Sequence, residues 1–422
     1  MTAAIEVRIW GKTVGYVAAD PSQRAYAFEY DRRWANGSVQ LAPLTMPLQP
    51  DRRTFVFPDI GPGFQGLPGL LADALPDAFG NQLIDAWMAE HGLSRSSVTV
   101  LDRLAYMGKR AMGALEFRPT MGSRTESAKP LEMGRLVDAA RQALSGNLGT
   151  QAKAERSLRD IIRVGTSAGG ARAKAVIALN PKTREIRSGQ FDVPVGFEHW
   201  LLKFDVESKL NLGVPRGYGR IERAYSLMAE AAGIEMAPCE LLEENGRAHF
   251  MTKRFDRDGN RKHHIQSLCA MRHVDYKMAD THSYEQLFMA IEELKLGDRA
   301  KQQAFRRMVF NFLASNCDDH TKNFAFRLKE GASWELAPAY DVTYSYDPDS
   351  EWVARHQMSV NGKFEAVRRA DFLAISSRFA IPAAKEAVRE VERAVARWPE
   401  FAAVAAVPTD RAQQIRGAFT AA

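Results

Sequence analysis

Cysteine is nearly absent from this chain. Cys239, Cys269 and Cys317 are the only three among 422 residues, widely separated and without CxxC spacing. That excludes a disulfide framework and a cysteine zinc cluster, and it points to a reducing, cytoplasmic setting. Long apolar runs are missing too. None approaches the roughly 20 residues a bilayer-crossing helix needs, so no membrane partner is expected. The opening Met1-Thr2-Ala3-Ala4-Ile5-Glu6 lacks a basic segment followed by an apolar one, so no signal peptide is expected. There is no internal repeat and no dense basic tract. The net charge of +6 is spread along the sequence, which permits contact with nucleic acid without requiring it.

What is present is the composition of an ordinary soluble protein, 45% apolar and 26% charged, able to build large cores. The length suggests two or three domains of about 100–200 residues each. Glu6 to Trp10 alternates as a strand does, Gly11-Lys12 turns, Val14 to Val17 returns and Tyr26 to Tyr30 adds a third strand, a β-meander. Leu70 to Glu90 has helical spacing. The small polar residues from Pro119 to Pro130 read as a linker. Beyond it, Leu131 to Leu144 and Ala152 to Ile162 look helical, Ala175 to Leu179 and Trp200 to Phe204 look like strands, and Arg220 to Ala232 is a helix stopped by Gly233. Leu241 to Phe255 reads as a hairpin around Glu244-Asn245-Gly246. Helices dominate from Tyr284 onward, ending with an amphipathic face of Ile381, Ala384, Val388, Val391, Val395 and Trp398.

The densest chemical signal is Asn316-Cys317-Asp318-Asp319-His320-Thr321-Lys322-Asn323, followed eighteen residues later by Tyr340-Asp341. An Asp and an Asn five positions apart, with a second Asp on a later segment, is how protein-kinase-like enzymes space their catalytic parts. On that spacing Asp318 is the candidate base, and Asn323 and Asp341 are the candidate Mg²⁺ ligands. The plainer reading is a polar loop in which Asp318 or Asp319 caps a helix. The context favours catalysis: an apolar helical stretch from Phe305 to Ala314 precedes the cluster. Phe324, Phe326 and Leu328 then alternate, and Trp334-Glu335-Leu336 starts another strand before Tyr340-Asp341.

Two further features suit a nucleotide. The loop Gly165 to Lys174 is rich in glycine, and backbone N–H groups there can approach anionic oxygens. It is not a Walker A motif, because Ala171-Arg172 stands where Lys-Ser/Thr is required, and a Gly-Gly turn before a strand is also common. Ser167 in this loop either bonds nearby backbone or is itself a phosphate acceptor. Lys203 follows Trp200-Leu201-Leu202 in an apolar strand. An ATP phosphate would offset its desolvation, with Glu222 on the next helix as candidate counter-ion, although a strand-end lysine can also reach water. Arg254-Phe255 ends a strand where an adenine would stack or meet backbone, and an aromatic there is equally a core residue.

Order and spacing together resemble the HipA-like serine/threonine kinases of bacterial type II toxin–antitoxin systems, over nearly the whole chain. The pieces that carry the resemblance are Gly66-Leu67-Pro68 to Gly80, Ser167 to Lys174, Leu201-Leu202-Lys203 and Lys253 to Arg257. They continue with Gln266 to Cys269, Asp275-Tyr276-Lys277, Asp318 to Asn323, Tyr340-Asp341, His356 to Ser359 and Asn361-Gly362-Lys363. The resemblance implies an α+β, two-lobed protein/lipid-kinase-like fold with an N-terminal β-rich subdomain and a mostly helical C-terminal lobe. The corresponding segments are 1–118, a linker at 119–130, a small lobe at 131–256 and a large lobe at 257–422. It implies ATP- and Mg²⁺-dependent phosphorylation of a protein serine, targets such as aminoacyl-tRNA synthetases, and inactivation by autophosphorylation. It also implies a small helix-turn-helix antitoxin, HipB-like, that carries the kinase to operator DNA.

By the same resemblance Asp318 is the base, Asn323 and Asp341 hold metal, and Lys203 meets ATP. Gly169, Gly170, Ala171 and Lys174 take phosphate-loop positions, with Ser167 the autophosphorylated serine. Lys253, Arg254 and Phe255 fall at the hinge, and His320, Lys322 and Tyr340 lie beside the phosphates and metal. Three residues depart from the pattern: Lys253 stands where Glu is frequent, Arg172 replaces a neutral residue, and Asp319 adds negative charge expected to lie beside the γ-phosphate. Competing readings are a catalytically weak kinase fold acting as corepressor with a DNA-binding partner, and a small-molecule or lipid phosphotransferase. A metal hydrolase using Asp318, Asp319 and His320 is the weakest, because such close neighbours cannot readily converge on one metal.

Overall fold

The computed structural model describes residues 2–22, 25–76, 78–121, 128, 130–144, 173–205 and 217–420. The expected helix from Ala152 to Ile162 lies outside them. Two compact units emerge, and they do not follow chain order. The first comprises Met1–Ala42, Met46–Arg216 and Leu242–Ile265; the second comprises Pro43–Thr45, Gly217–Leu241 and Gln266–Ala422.

The first unit carries the predicted meander. Ala4–Ile9, Lys12–Asp20 and Ala25–Tyr30 pair antiparallel, with Ile5 opposite Val17 and Val17 opposite Phe28. Burial follows the strand period: Ile5, Val7 and Ile9 are fully buried on one face. Two short strands extend this sheet at its edges. Thr54–Phe55 joins Ala25–Tyr30, and Leu115–Arg118 joins Ala4–Ile9. Neither is long enough for alternation to reveal it in the sequence. The helix expected over Leu70 to Glu90 is broken into a short turn, Gly69–Ala72, and a helix, Ala78–Glu90. Pro76 explains the break, since a proline ring excludes the helical hydrogen bond at its nitrogen.

A second antiparallel sheet in the same unit contains, in order, Ile186–Ser188, Lys174–Leu179, Glu198–Lys203 and Arg247–Lys253. The strand Lys174–Leu179 is buried at every position, as befits the centre of a covered sheet. Asn245 and Gly246, both with positive φ, make the tight turn that leads into Arg247–Lys253. Directly after that strand, Asp256 accepts hydrogen bonds from Arg254 and Arg257 at 2.7 Å each, and from the backbone N–H of Gly113 at 2.7 Å. Arg257 returns a bond to the Gly113 carbonyl. All three side chains are almost wholly buried. Gly113 is required here: its φ is +79°, and an added Cβ would press on Ile265 at 3.1 Å.

The second unit is mainly helical. Tyr218–Ala231 ends at Gly233 as expected, with φ +76° there. Tyr284–Glu293 and the long helix Gly297–Leu313 pack into one core with Ala384–Ala396, through residues such as Phe288, Phe305, Phe310, Val388 and Val391. The amphipathic face read from Ile381 to Trp398 is divided among elements. Ala383 at φ +56° starts the helix, Ala384–Ala396 forms it, and Trp398 opens a new one, Trp398–Val404. Trp398 is nevertheless fully buried, against Tyr225 at 5.2 Å. After Gly297–Leu313 comes a polar loop and then the antiparallel pair Ala325–Leu328 and Trp334–Leu336, in register Phe326 to Leu336. No helix among the described residues is long and apolar enough to cross a membrane.

Candidate active site

The polar loop in the second unit begins where the long helix stops. Ser315 takes a left-handed conformation, φ +50°, that the helix cannot continue through. Asn316 folds back instead, its N–H and side-chain amide both bonding to Asn311 at 2.9 Å. Asn311 donates to the Tyr284 hydroxyl, and that hydroxyl donates to Asp319 Oδ2 at 2.7 Å. His356 Nδ1 lies 3.0 Å from the same oxygen, and the backbone N–H of Gln357 donates to Asp319 Oδ1 at 2.8 Å. Asp319 is 1% exposed. Its carboxylate ties the loop to three donors, so the charge it adds is held by Tyr284, His356 and the Gln357 N–H. Burial, with the Asp319 charge adding to it, raises the Tyr284 phenol well above its ordinary value, so the hydroxyl stays a donor. Burial likewise raises the Cys317 thiol, with Asp319 and Asp318 reinforcing it.

With Asp319 anchored, its neighbour Asp318 points the other way. Its side chain is 40% exposed. Asn323 Nδ2 donates to the Asp318 carbonyl at 2.6 Å across the turn Thr321–Asn323, which fixes the two candidate catalytic residues relative to each other. Tyr340 donates to the Lys322 carbonyl at 2.6 Å, locking the segment that carries Asp341 onto the same turn. Asp341 itself has φ +53°, an uncommon conformation for a non-glycine residue. Asn323 and Asp341 both line one recess, together with Arg307, Asn311, Asn316 and Asp319. Two oxygen donors on one recess fit Mg²⁺, which keeps waters and takes one or two protein carboxylates plus substrate phosphates. They do not fit a zinc-type cage, and no group of three or more His, Cys, Asp or Glu side chains among the described residues is arranged to hold a metal ion.

His320 Nε2 is 3.7 Å from Asp318 Oδ1, and its ring lies 5.3 Å from that of Tyr276. Lys322 places its ammonium 4.7 Å over the same Tyr276 ring, a cation–π arrangement. Glu222 is 2% exposed on the helix Tyr218–Ala231.

The first unit holds the other candidates. Lys203 ends its strand directly opposite Lys174 on the neighbouring strand and Phe250 on the other side, with Nζ 5.7 Å from the Phe250 ring. Both lysines are buried, 8% and 6% exposed. Lys253 pairs with Glu198 at 2.7 Å, and both remain about a third exposed. Arg254 is committed to Asp256 by two bonds, so its guanidinium serves the fold. Phe255 between them is half-buried. Gly169, Gly170, Ala171 and Ser167 lie outside the described residues.

The sequence assigned no role to Trp352, Tyr284 or Gln357. Trp352 Nε1 donates to Asp318 Oδ1 at 2.9 Å. His356 and Gln357 carried a family resemblance without a role, whereas Trp352 had no local signal, being brought to the loop only by tertiary folding.

Comparison with known proteins fixes the family. A model of the HipA N-terminal domain matches residues 5–118, and one of the HipA-like C-terminal domain matches residues 166–398. The chain belongs to the HipA family. Among solved structures it is similar to HipA of Shewanella oneidensis MR-1, determined in complex with HipB and its operator DNA. The identity is 18%, the TM-score 0.67, and the match covers 98% of this chain and 94% of that one. The α+β fold is thus shared with a HipA protein. The Helicobacter pylori proinflammatory kinase CtkA is a remote neighbour, with 12% identity and a TM-score of 0.35 over 53% of this chain and 88% of that one. No curated protein sequence matches.

Proposed function

We propose that this HipA-type kinase is an ATP- and Mg²⁺-dependent serine/threonine protein kinase and the toxin of a type II toxin–antitoxin pair. The observation that carries the reading is the Asn323–Asp318 bond at 2.6 Å, with Asn323 and Asp341 on one recess. Asp318, half-exposed on an anchored loop, accepts the proton of the acceptor hydroxyl as the hydroxyl oxygen attacks the γ-phosphorus and the γ-phosphorus–bridging-oxygen bond breaks, releasing ADP. The Asn323 side-chain oxygen and the Asp341 carboxylate would hold magnesium, which would neutralise charge on the phosphate oxygens. Lys203 and Lys174 are the proposed ATP-phosphate lysines, as the family resemblance implies for both positions, and the buried Glu222 is the candidate counter-ion. Because phosphoryl transfer asks for position and charge rather than covalent chemistry, these groups suffice.

A small helix-turn-helix antitoxin of the HipB type is the proposed partner, and through it operator DNA, as in the complex of the Shewanella relative. A protein such as an aminoacyl-tRNA synthetase is the proposed acceptor. Ser167 is the proposed site of autophosphorylation, whose roughly −1.5 to −2 charges would repel ATP or undo the backbone cradle. Incubating the purified protein with labelled Mg·ATP and mapping phosphosites by mass spectrometry tests the reading. Phosphoserine, with ADP released only when Mg²⁺ is present, is the expected outcome. Nucleotide binding without any phosphoryl transfer, to itself or to cell extract, would contradict it.

A further inference from the structure

Two consecutive carboxylates of the loop are both held by one later segment. Asp319 accepts from His356 Nδ1 and from the Gln357 N–H, and Asp318 Oδ1 accepts from Trp352 Nε1. The segment is closed on itself as well. The Gln357 side-chain amide donates to the Trp352 carbonyl, and the Trp352 and Val353 N–H groups both donate to Ser350 Oγ at 3.2 Å. From Trp352 through Gln357 to Asp319, and along the backbone to Asp318, hydrogen bonds and the chain close one circuit.

We infer that Trp352 is a positioning residue for phosphoryl transfer: its indole N–H holds Asp318 in the rotamer that presents the other carboxylate oxygen to the acceptor hydroxyl. The inference rests on the reading of Asp318 as the base. An indole Nε1–H is a donor only, so Trp352 can neither take the acceptor proton nor relay it. What it can do is remove a degree of freedom. Asp318 is already fixed at its carbonyl by Asn323 and at the following residue by buried Asp319, which leaves the side-chain torsions as its remaining freedom. The indole bond restrains those torsions by occupying Oδ1. A base oriented by a third group is a recurrent arrangement in catalysis, and here the orienter is neutral.

The test is Trp352→Phe, which keeps a ring on the segment and deletes the donor. Turnover of labelled Mg·ATP is expected to fall about 10- to 100-fold, the scale of a misplaced catalytic group. The nucleotide KM and the unfolding midpoint are expected to stay at the wild-type values. Gln357→Leu, which removes the side-chain support of the Trp352 carbonyl, is expected to lower kcat in the same way by a smaller factor. In an Asp318→Asn background, Trp352→Phe should cost nothing further, because the two act as a unit. A crystal structure of the Trp352→Phe protein gives a readout independent of turnover, with Asp318 expected in a different rotamer. Unchanged or faster turnover in Trp352→Phe, or an Asp318 carboxylate left in place, overturns the inference. If Asp318→Asn alone turns over at the wild-type rate, the base assignment fails instead, which separates the two.

Discussion

At the scale of single residues, neighbours in sequence divide the labour. Asp318 and Asp319 look alike in the sequence, and only the fold assigns them opposite directions. The half-exposed Asp318 faces Trp352, while Asp319 is buried under Tyr284 and His356. The spacing of Asp318, Asn323 and Asp341 could be seen in the sequence as a pattern, and the structure bonds Asn323 to the Asp318 carbonyl and sets Asn323 and Asp341 on one recess. The inward turn of Asp319 was not legible, because its three donors come from residues 35 to 38 positions away. Lys203 is a second case. The sequence marked it as a charge in an apolar strand, and the register adds Lys174 directly opposite. Replacing Lys203 by Ala is expected to weaken ATP binding at least tenfold while leaving the first unit folded. Calorimetric titration measures it, and unchanged affinity in a folded variant would return Lys203 to a structural role.

Elements show a different pattern of legibility. The meander and the strand Ala325–Leu328 were legible from apolar residues at strand spacing, and Trp334–Leu336, half-buried throughout, pairs with the latter. Two-residue strands and a helix split by Pro76 escaped, since periodicity needs several residues to declare itself. The run Arg254-Phe255-Asp256-Arg257 was legible as a motif but not in its purpose. Burial opposes the Asp256 charge, yet Arg254 and Arg257, with the Gly113 N–H, outweigh it and hold the carboxyl well below the usual range. The element is a knot joining the end of Arg247–Lys253 to the loop at Gly113. Asp256→Asn would leave two arginines buried against a neutral group. It is expected to destabilise the first unit by about 3–5 kcal/mol, the cost of breaking a buried pair from one side. Denaturant unfolding reads this directly, and a loss under about 1 kcal/mol would contradict the assignment.

For the whole molecule, buried histidines set the response to acid. Burial pushes His264 down to about 4, at His199 burial is joined by Arg254 and Arg257 to the same effect, and desolvation lowers the half-buried His273 in the same direction. With folded values below the ordinary 6.5, the unfolded chain takes up protons first as pH falls. Their contribution to stability is therefore complete above about pH 6.5 and is lost as pH falls toward about 4. Asp256 extends the trend to lower pH, because its depressed value stabilises the fold above the normal carboxylate range and is lost below it. Thermal midpoints should fall steadily from about pH 7 to about pH 4.5, and a flat or rising profile would contradict these burials.

The family models span most of the chain, and two compact units carry the two sets of candidate groups. Phosphoryl transfer through Asp318 is the central claim, and one measurement reaches it most directly. Wild type and Asp318→Asn are incubated with γ-labelled ATP and Mg²⁺, with unfolding midpoints taken on the same preparations. Equal midpoints are expected, with a loss of transfer of about 10²- to 10⁴-fold, the range for a removed general base. Equal rates of transfer by the two proteins would contradict it.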